Sequence, residues 1–299
     1  MAVYGSAGVW LEWMTYLRES GYQGTLYAYS ARNHGGSFSV PYFRMVYRTS
    51  HDDMASDLTT CLRHAQNQEA TTQTSDANVV LVGHSSGGGL AQYCLANYPS
   101  DQVDVYWNWA KHDPWFFVRS LFHLQHPTSP LSSTSLVHGA FFGHECPRSH
   151  VSEFMRWMPA CESMGWPTGM MGSLGEWWRG SSSWLDLDQV VRNITGNRNS
   201  LSSDRVCIML GSEDVLMDIR MCHRQAAEYR ASFGQKQEVE NLEKLSEQER
   251  TIPPHIEGVQ VESVAATRLV VVESAGHHLQ NDVQSEAAAK AFLQFVQQC

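Results

Sequence analysis

The sequence predicts an α/β protein: a mostly parallel sheet with helices on both faces, interrupted by an inserted helical cap. Three observations carry this. An apolar, β-branched run at residues 78–82 (NVVLV) breaks on Gly83-His84-Ser85-Ser86-Gly87 and continues into a small-residue helix start. Two further buried-strand runs, residues 205–210 (RVCIML) and 267–272 (TRLVVV), are each followed by a loop and then a helical pattern. Strand-like and helix-like segments alternate along the chain, the order of a sheet covered by helices.

In order, residues 1–8 read as the tail of a strand turning on glycine, and residues 10–20 as an amphipathic helix ending at Gly21. Residues 25–29 alternate like a short strand, and residues 54–68 form a helix with Leu58, Cys61, Leu62 and Ala65 on one stripe. The strand at 78–82 follows, then a helix over 88–97 and a short half-polar run at 103–107 that is expected to insert between strands 78–82 and 205–210. Eight of the ten tryptophans and five of the twelve methionines fall between residues 107 and 184, a helix-and-loop stretch suited to roofing an apolar pocket. Helical periodicity returns at 185–194, and helices are expected at 219–233 and 284–298 around a charged, solvated excursion at 234–258. The resulting division is a first α/β half at 1–106, a cap at 107–184 and a second α/β half at 185–299.

Composition excludes several function classes. A formal charge of −10 with no basic cluster argues against nucleic acid and anionic membrane surfaces, leaving small or apolar partners. The seven cysteines are scattered without a C-x-x-C pair, which points to a reducing compartment rather than a disulfide framework. No basic-then-apolar leader opens the sequence and no apolar run is long enough to span a bilayer, so a cytoplasmic protein is expected. His144-Glu145-Cys146 with His150 lacks a second ligand pair at tetrahedral-site spacing; no metal and no organic cofactor are expected.

Gly83-His84-Ser85-Ser86-Gly87 fits G-x-S-x-G, a sharp strand-to-helix turn that exposes a serine beyond a sheet end. It is not a phosphate loop, because Gly87-Gly88-Gly89 leads into Leu90 where a Walker lysine would stand. A serine hydroxyl needs an imidazole to take its proton and a carboxylate to orient that imidazole. Asp214 lies just past strand 205–210 and His277 just past strand 267–272, both at the carboxyl ends where a parallel sheet gathers its functional groups. Glu213 and Asp218 compete with Asp214, and His278 and His84 with His277.

The order Ser85, Asp214, His277 with this elbow resembles the α/β-hydrolase family, and the likeness extends over nearly the whole chain. Tyr4-Gly5-Ser6 resembles the family's His-Gly-x turn, Asn33-His34-Gly35-Gly36-Ser37 its G-H-G-x-S loop, and Ala275-Gly276-His277-His278 its terminal G-H. The resemblance implies Ser85 as nucleophile, His277 as base, Asp214 as its orienter, and an oxyanion hole at the N–H groups of Ser86 and Ser6. The glycine-to-aspartate spacing of the family selects Asp214, and the histidine directly after glycine selects His277. The family carries two strands before the His-Gly turn, so the resemblance implies a fold shortened at its N-terminal end, with tyrosine in place of the turn's histidine. The tryptophan-rich cap and Asp113-Pro114-Trp115 are similar to fungal α/β-hydrolases of polyketide pathways, which implies an apolar acyl or polyketide-like substrate and a role in secondary metabolism. The function expected is a serine esterase or thioesterase acting on an ester, thioester or lactone. The alternatives are an acyltransferase or lactonising cyclase with the same triad, and a non-catalytic relative that binds a ligand or partner.

Overall fold

The computed structural model describes residues 5–72, 79–96, 131–163, 187–195, 203–240 and 255–298. The expected strand at 103–107 lies outside them, as does most of the stretch read as a cap.

Three strands form the described sheet: β1 (Val206–Gly211), β2 (Val259–Val264) and β3 (Thr267–Val272), in the order β1-β3-β2. β3 is buried along its whole length, as an unbroken TRLVVV run requires of a central strand. It pairs parallel with β1, Gly211 opposite Val272, and antiparallel with β2, Val264 opposite Thr267. Its alternate side chains face opposite layers. Val270 and Val272 pack on α1 (Leu11–Glu19) and α9 (Ser285–Val296), where Trp13 stacks on Phe292 at 5.6 Å. Leu269 and Val271 face Cys222 and Ala226 of α8 (Ile219–Glu240). The sheet therefore carries helices on both faces.

β2 is an addition to the sequence reading, which left residues 259–264 unassigned beside the charged excursion. Its hairpin turn is Ala265-Ala266, both at positive φ (46° and 58°), where asparagine and glycine would have announced a two-residue turn. The short helix α2 (Tyr42–Arg48), starting after Pro41, was also unexpected. Helix α3 (His51–Thr72) starts ahead of its apolar stripe because Ser50 and Asp53 cap it reciprocally: Ser50 Oγ accepts the Asp53 N–H, and the Asp53 carboxylate accepts the Ser50 N–H at 3.0 Å.

Two expected strands take another form. Residues 25–29 and 79–82 make no ladder pairing among the described residues, and Val79 and Val80 are 54 % and 36 % exposed rather than buried on both faces. Side chains anchor these segments instead. Leu26 and Val82 pack on the α1/α9 cluster, Tyr29 packs against α3, and the Tyr27 hydroxyl donates to Glu69 at 2.8 Å.

Helix α4 (Ser86–Ala96) is wedged between layers. Leu90 meets Met54 and Leu58 of α3, while Ala96 meets Val190 and Val191 of α7 (Leu187–Thr195) and Tyr229 and Phe233 of α8. Residues 131–163 contribute α5 (Thr134–Phe141) and α6 (Arg148–Phe154), and Phe141, Phe154 and the intervening Phe142 cluster with Val9 and Leu216.

Candidate active site

The parallel register of β1 and β3 sets the frame. Because Gly211 and Val272 end their strands side by side, Asp214 and His277 emerge at the same sheet edge. The loops after them interlock: Ser212 N–H donates to Val272 O at 2.8 Å and Glu213 N–H to Ala275 O at 2.9 Å. A Cβ on Gly211 would stand 2.1 Å from the Ala275 oxygen, so only glycine permits this approach.

His277 Nδ1 and Asp214 Oδ2 are 2.7 Å apart, with both side chains almost fully buried (3 % and 4 % exposed). The other carboxylate oxygen accepts the N–H groups of Leu216 and Met217, each at 2.8 Å, so Asp214 is fixed at both ends. The Nδ1–H thus stays on the aspartate and Nε2 carries the basic lone pair. That Nε2 is enclosed and has no hydrogen-bond partner among the described residues.

Ser85 sits between residues 79–84 and α4 with φ of +55°, a left-handed conformation uncommon outside glycine. The turn is tight: Gly87 N–H donates to His84 O at 2.9 Å and Gly88 N–H to Ser85 O at 2.8 Å. Its neighbour His84 reaches the histidine loop, with Nε2 donating to the His277 carbonyl at 2.9 Å and its ring 4.7 Å from the His277 ring. Burial, reinforced by His278 and His277, holds His84 well below the ordinary imidazole range. The elbow is thereby tied to the base's own backbone, although the structure draws no hydrogen bond between Ser85 and His277 Nε2.

Of the other predicted positions, Ser86 opens α4, and its hydroxyl is buried without a partner among the described residues. The first-turn amides of a helix have no intrahelical acceptor. Ser6 is 4 % exposed and caps a short 3-10 helix (Ala7–Trp10), its Oγ accepting from Gly8 N–H at 3.3 Å. The loop at 33–37 presses on it, since a Cβ on Gly35, at φ of +51°, would lie 2.8 Å from Ser6 Cβ. This loop is held by a pair that carries no local sequence signal. His34 Nε2 meets Glu162 Oε1 at 2.5 Å, and His34 Nδ1–H donates to Arg32 O at 2.7 Å. Burial opposes charge on His34, but the Glu162 carboxylate overrides it and raises the imidazole's pKa.

The competing residues face elsewhere. Glu213 accepts from the His144 ring and backbone, Asp218 caps the start of α8, and His278 is enclosed by His84, Phe141, Phe142 and Phe154. His150 Nε2–H donates to the Asn281 carbonyl. Among the described residues no group of three or more His, Cys, Asp or Glu side chains is placed to hold a metal ion.

The site therefore brings a serine on a positive-φ turn at a helix start and a buried histidine–aspartate pair at the ends of adjacent parallel strands. The chain belongs to the alpha/beta hydrolase family, whose model matches residues 4–292, and it is an enzyme of that hydrolytic class. Among solved structures it is similar to an esterase from Exiguobacterium antarcticum, with 15 % identity, a TM-score of 0.54, and coverage of 99 % of this chain and 90 % of that one. At that identity the likeness concerns the fold. No curated protein matches the sequence. No described helix is long and apolar enough to cross a membrane.

Proposed function

We propose that this protein is a serine esterase or thioesterase in which Ser85 attacks the carbonyl of an apolar ester, thioester or lactone. The observation that carries the reading is the enclosed His277, bound through Nδ1 to Asp214 at 2.7 Å while its Nε2 is unpartnered among the described residues. An imidazole fixed in that tautomer is prepared to accept one proton at Nε2 and return it.

As the serine oxygen bonds to the carbonyl carbon, its proton passes to His277 Nε2, and Asp214 stabilises the imidazolium that forms. The carbonyl oxygen gathers negative charge near the N–H groups of Ser86 and Ser6, with the positive end of the α4 dipole beneath it. His277 then protonates the departing alcohol or thiol, activates water to cleave the acyl–Ser85 ester, and returns the proton to the serine. Replacing that water with a substrate hydroxyl would turn the same residues to acyl transfer or lactonisation. The tryptophan-rich stretch, read as a cap, favours an apolar acyl or polyketide-like group, and the free thiols of Cys61, Cys94, Cys146, Cys161 and Cys222 suit a cytoplasmic setting.

The test is a panel of acyl p-nitrophenyl esters and acyl thioesters of graded chain length, with product analysis in the presence and absence of added alcohols. Hydrolysis that rises with chain length and disappears in Ser85→Ala supports the reading. Absence of turnover across the panel, or turnover unchanged in Ser85→Ala, refutes it.

A further inference from the structure

The loop that carries His277 closes on a carboxylate outside the predicted triad. Asp282 is 2 % exposed, and its partners are backbone amides. Oδ2 accepts the Gly276 N–H at 2.8 Å and the Gly143 N–H at 2.7 Å, and Oδ1 accepts the N–H of Val283 at 2.8 Å. Gly276 immediately precedes His277, so one oxygen joins the start of the histidine loop to its end and to the segment after α5. The crossing there is close. A Cβ on Gly276 would lie 2.4 Å from the Phe142 carbonyl carbon, and one on Gly143 would lie 2.2 Å from the Ser274 oxygen. A second tie, His278 N–H to Phe141 O at 2.7 Å, lies just beyond His277.

Burying an ionised carboxylate is costly unless its hydrogen bonds compensate, and charge-assisted bonds from amides are the strong kind. Here they tie Gly143 and Gly276 to the end of the histidine loop, beside the His278–Phe141 backbone bond and the ring contacts of His278 with Phe141 and Phe142. The piece of chain so clamped is the one whose imidazole must keep its Nδ1–H on Asp214.

We propose that Asp282 is a positioning residue for His277, closing loop 276–282 against Gly143 so that the imidazole stays seated on Asp214. The proposal rests on His277 being the catalytic base. Asp282→Ala removes all three accepted bonds, whereas Asp282→Asn retains one oxygen that can still accept from Gly143 and Gly276 while its NH2 opposes Val283 N–H.

Two readouts on the full chain test this: the low-field proton resonance of the His277 Nδ1–H, and the rate of Ser85 labelling by a fluorophosphonate. Circular dichroism and a cooperative melt establish that each variant is folded. In Asp282→Ala the resonance is expected to broaden beyond detection and labelling to slow by about 10²-fold, the scale of a 1 Å misplacement. In Asp282→Asn the resonance is expected to persist, shifted, with labelling slowed by roughly tenfold, in line with a partial loss of orientation. A folded Asp282→Ala with the wild-type resonance and labelling rate overturns the proposal, as does a lowered melting temperature that leaves both readouts unmoved. If Asp282→Ala does not fold, Asp282→Asn decides: wild-type values for both readouts overturn the assignment. A wild-type chain that shows the resonance but never labels refutes Ser85 as nucleophile, and the resonance alone then judges Asp282.

Discussion

Replacing Gly83 by alanine probes the elbow with a single methyl group. A Cβ there would lie 2.5 Å from the Gly87 oxygen and 2.6 Å from the Gly88 Cα and N, inside the 3.4 Å at which ordinary contact begins. These are backbone atoms and cannot swing aside as a side-chain tip would. Relief requires α4 to move away from residues 79–83 by about 1 Å, and Ser85 rides on that hinge. Such a displacement is expected to slow Ser85 chemistry by about 10²-fold, near 2.7 kcal/mol of transition-state stabilisation, and to cost about 1–3 kcal/mol of stability through overpacking. Gly88→Ala is the matched control. Its Cβ would meet nothing closer than the Gly83 oxygen at 3.5 Å, and within a helix alanine is favoured over glycine by about 0.5–1 kcal/mol. Ester hydrolysis and urea denaturation of the two variants read both effects. Wild-type turnover in Gly83→Ala, or equal damage from Gly88→Ala, would refute the close-approach argument.

The Ala265-Ala266 turn holds two alanines in the left-handed region, so Ala265→Asn with Ala266→Gly is expected to raise stability by about 1–2 kcal/mol; an unchanged urea midpoint contradicts it. The buried Arg268–Asp204 pair, 2.7 Å apart with Ser263 Oγ donating to Asp204, joins β2, β3 and the approach to β1. Asp204→Ala leaves that buried guanidinium without its carboxylate, with Gln298 as its remaining hydrogen-bond acceptor, and is expected to cost about 3–5 kcal/mol, so a loss below 1 kcal/mol in the same assay sinks the claim. Burial keeps His84 and His278 neutral well below the ordinary value of 6.5, so the unfolded chain binds more protons at acid pH. Their contribution is complete above pH 6.5 and is lost as pH falls below it, each imidazole adding a slope of about 1.4 kcal/mol per pH unit. His34, raised by Glu162 against its burial, has the opposite sign: its contribution is present below its unfolded value and is lost as pH rises through the folded one. Denaturation of His278→Phe, which carries no titrating group at that site, is expected to show a shallower acid slope than wild type. Parallel curves for the two proteins would contradict the assignment.

The sheet edge that gathers Asp214 and His277 is legible because residues 205–210 and 267–272 have strand composition, each with a loop and then a helical pattern after it, and parallel strands deliver their following residues to one side. Helix α1 is legible from its amphipathic pattern and the glycine at its end, and α3 from the apolar stripe of Leu58, Cys61, Leu62 and Ala65. Hairpin β2–β3 was not, since alanines occupy turn positions that sequence patterns reserve for asparagine and glycine. Residues 25–29 and 79–82 had strand composition, yet composition does not report whether a neighbour supplies ladder hydrogen bonds. Asp282 and the His34–Glu162 pair are invisible locally: their meaning lies in backbone amides and side chains brought from distant parts of the chain. Ser85 could be located from the glycines around it, while the tie between its neighbour His84 and the His277 carbonyl emerges only in three dimensions.

The proposed chemistry requires that Ser85, activated by His277, form an acyl-enzyme. Intact-mass and peptide analysis after exposure to a fluorophosphonate, and after rapid quenching with an activated acyl ester, tests it most directly. One adduct per chain is expected, located on Ser85, with its loss in both Ser85→Ala and His277→Ala. A folded wild-type chain that gains no adduct, or gains it on another residue, would contradict the account.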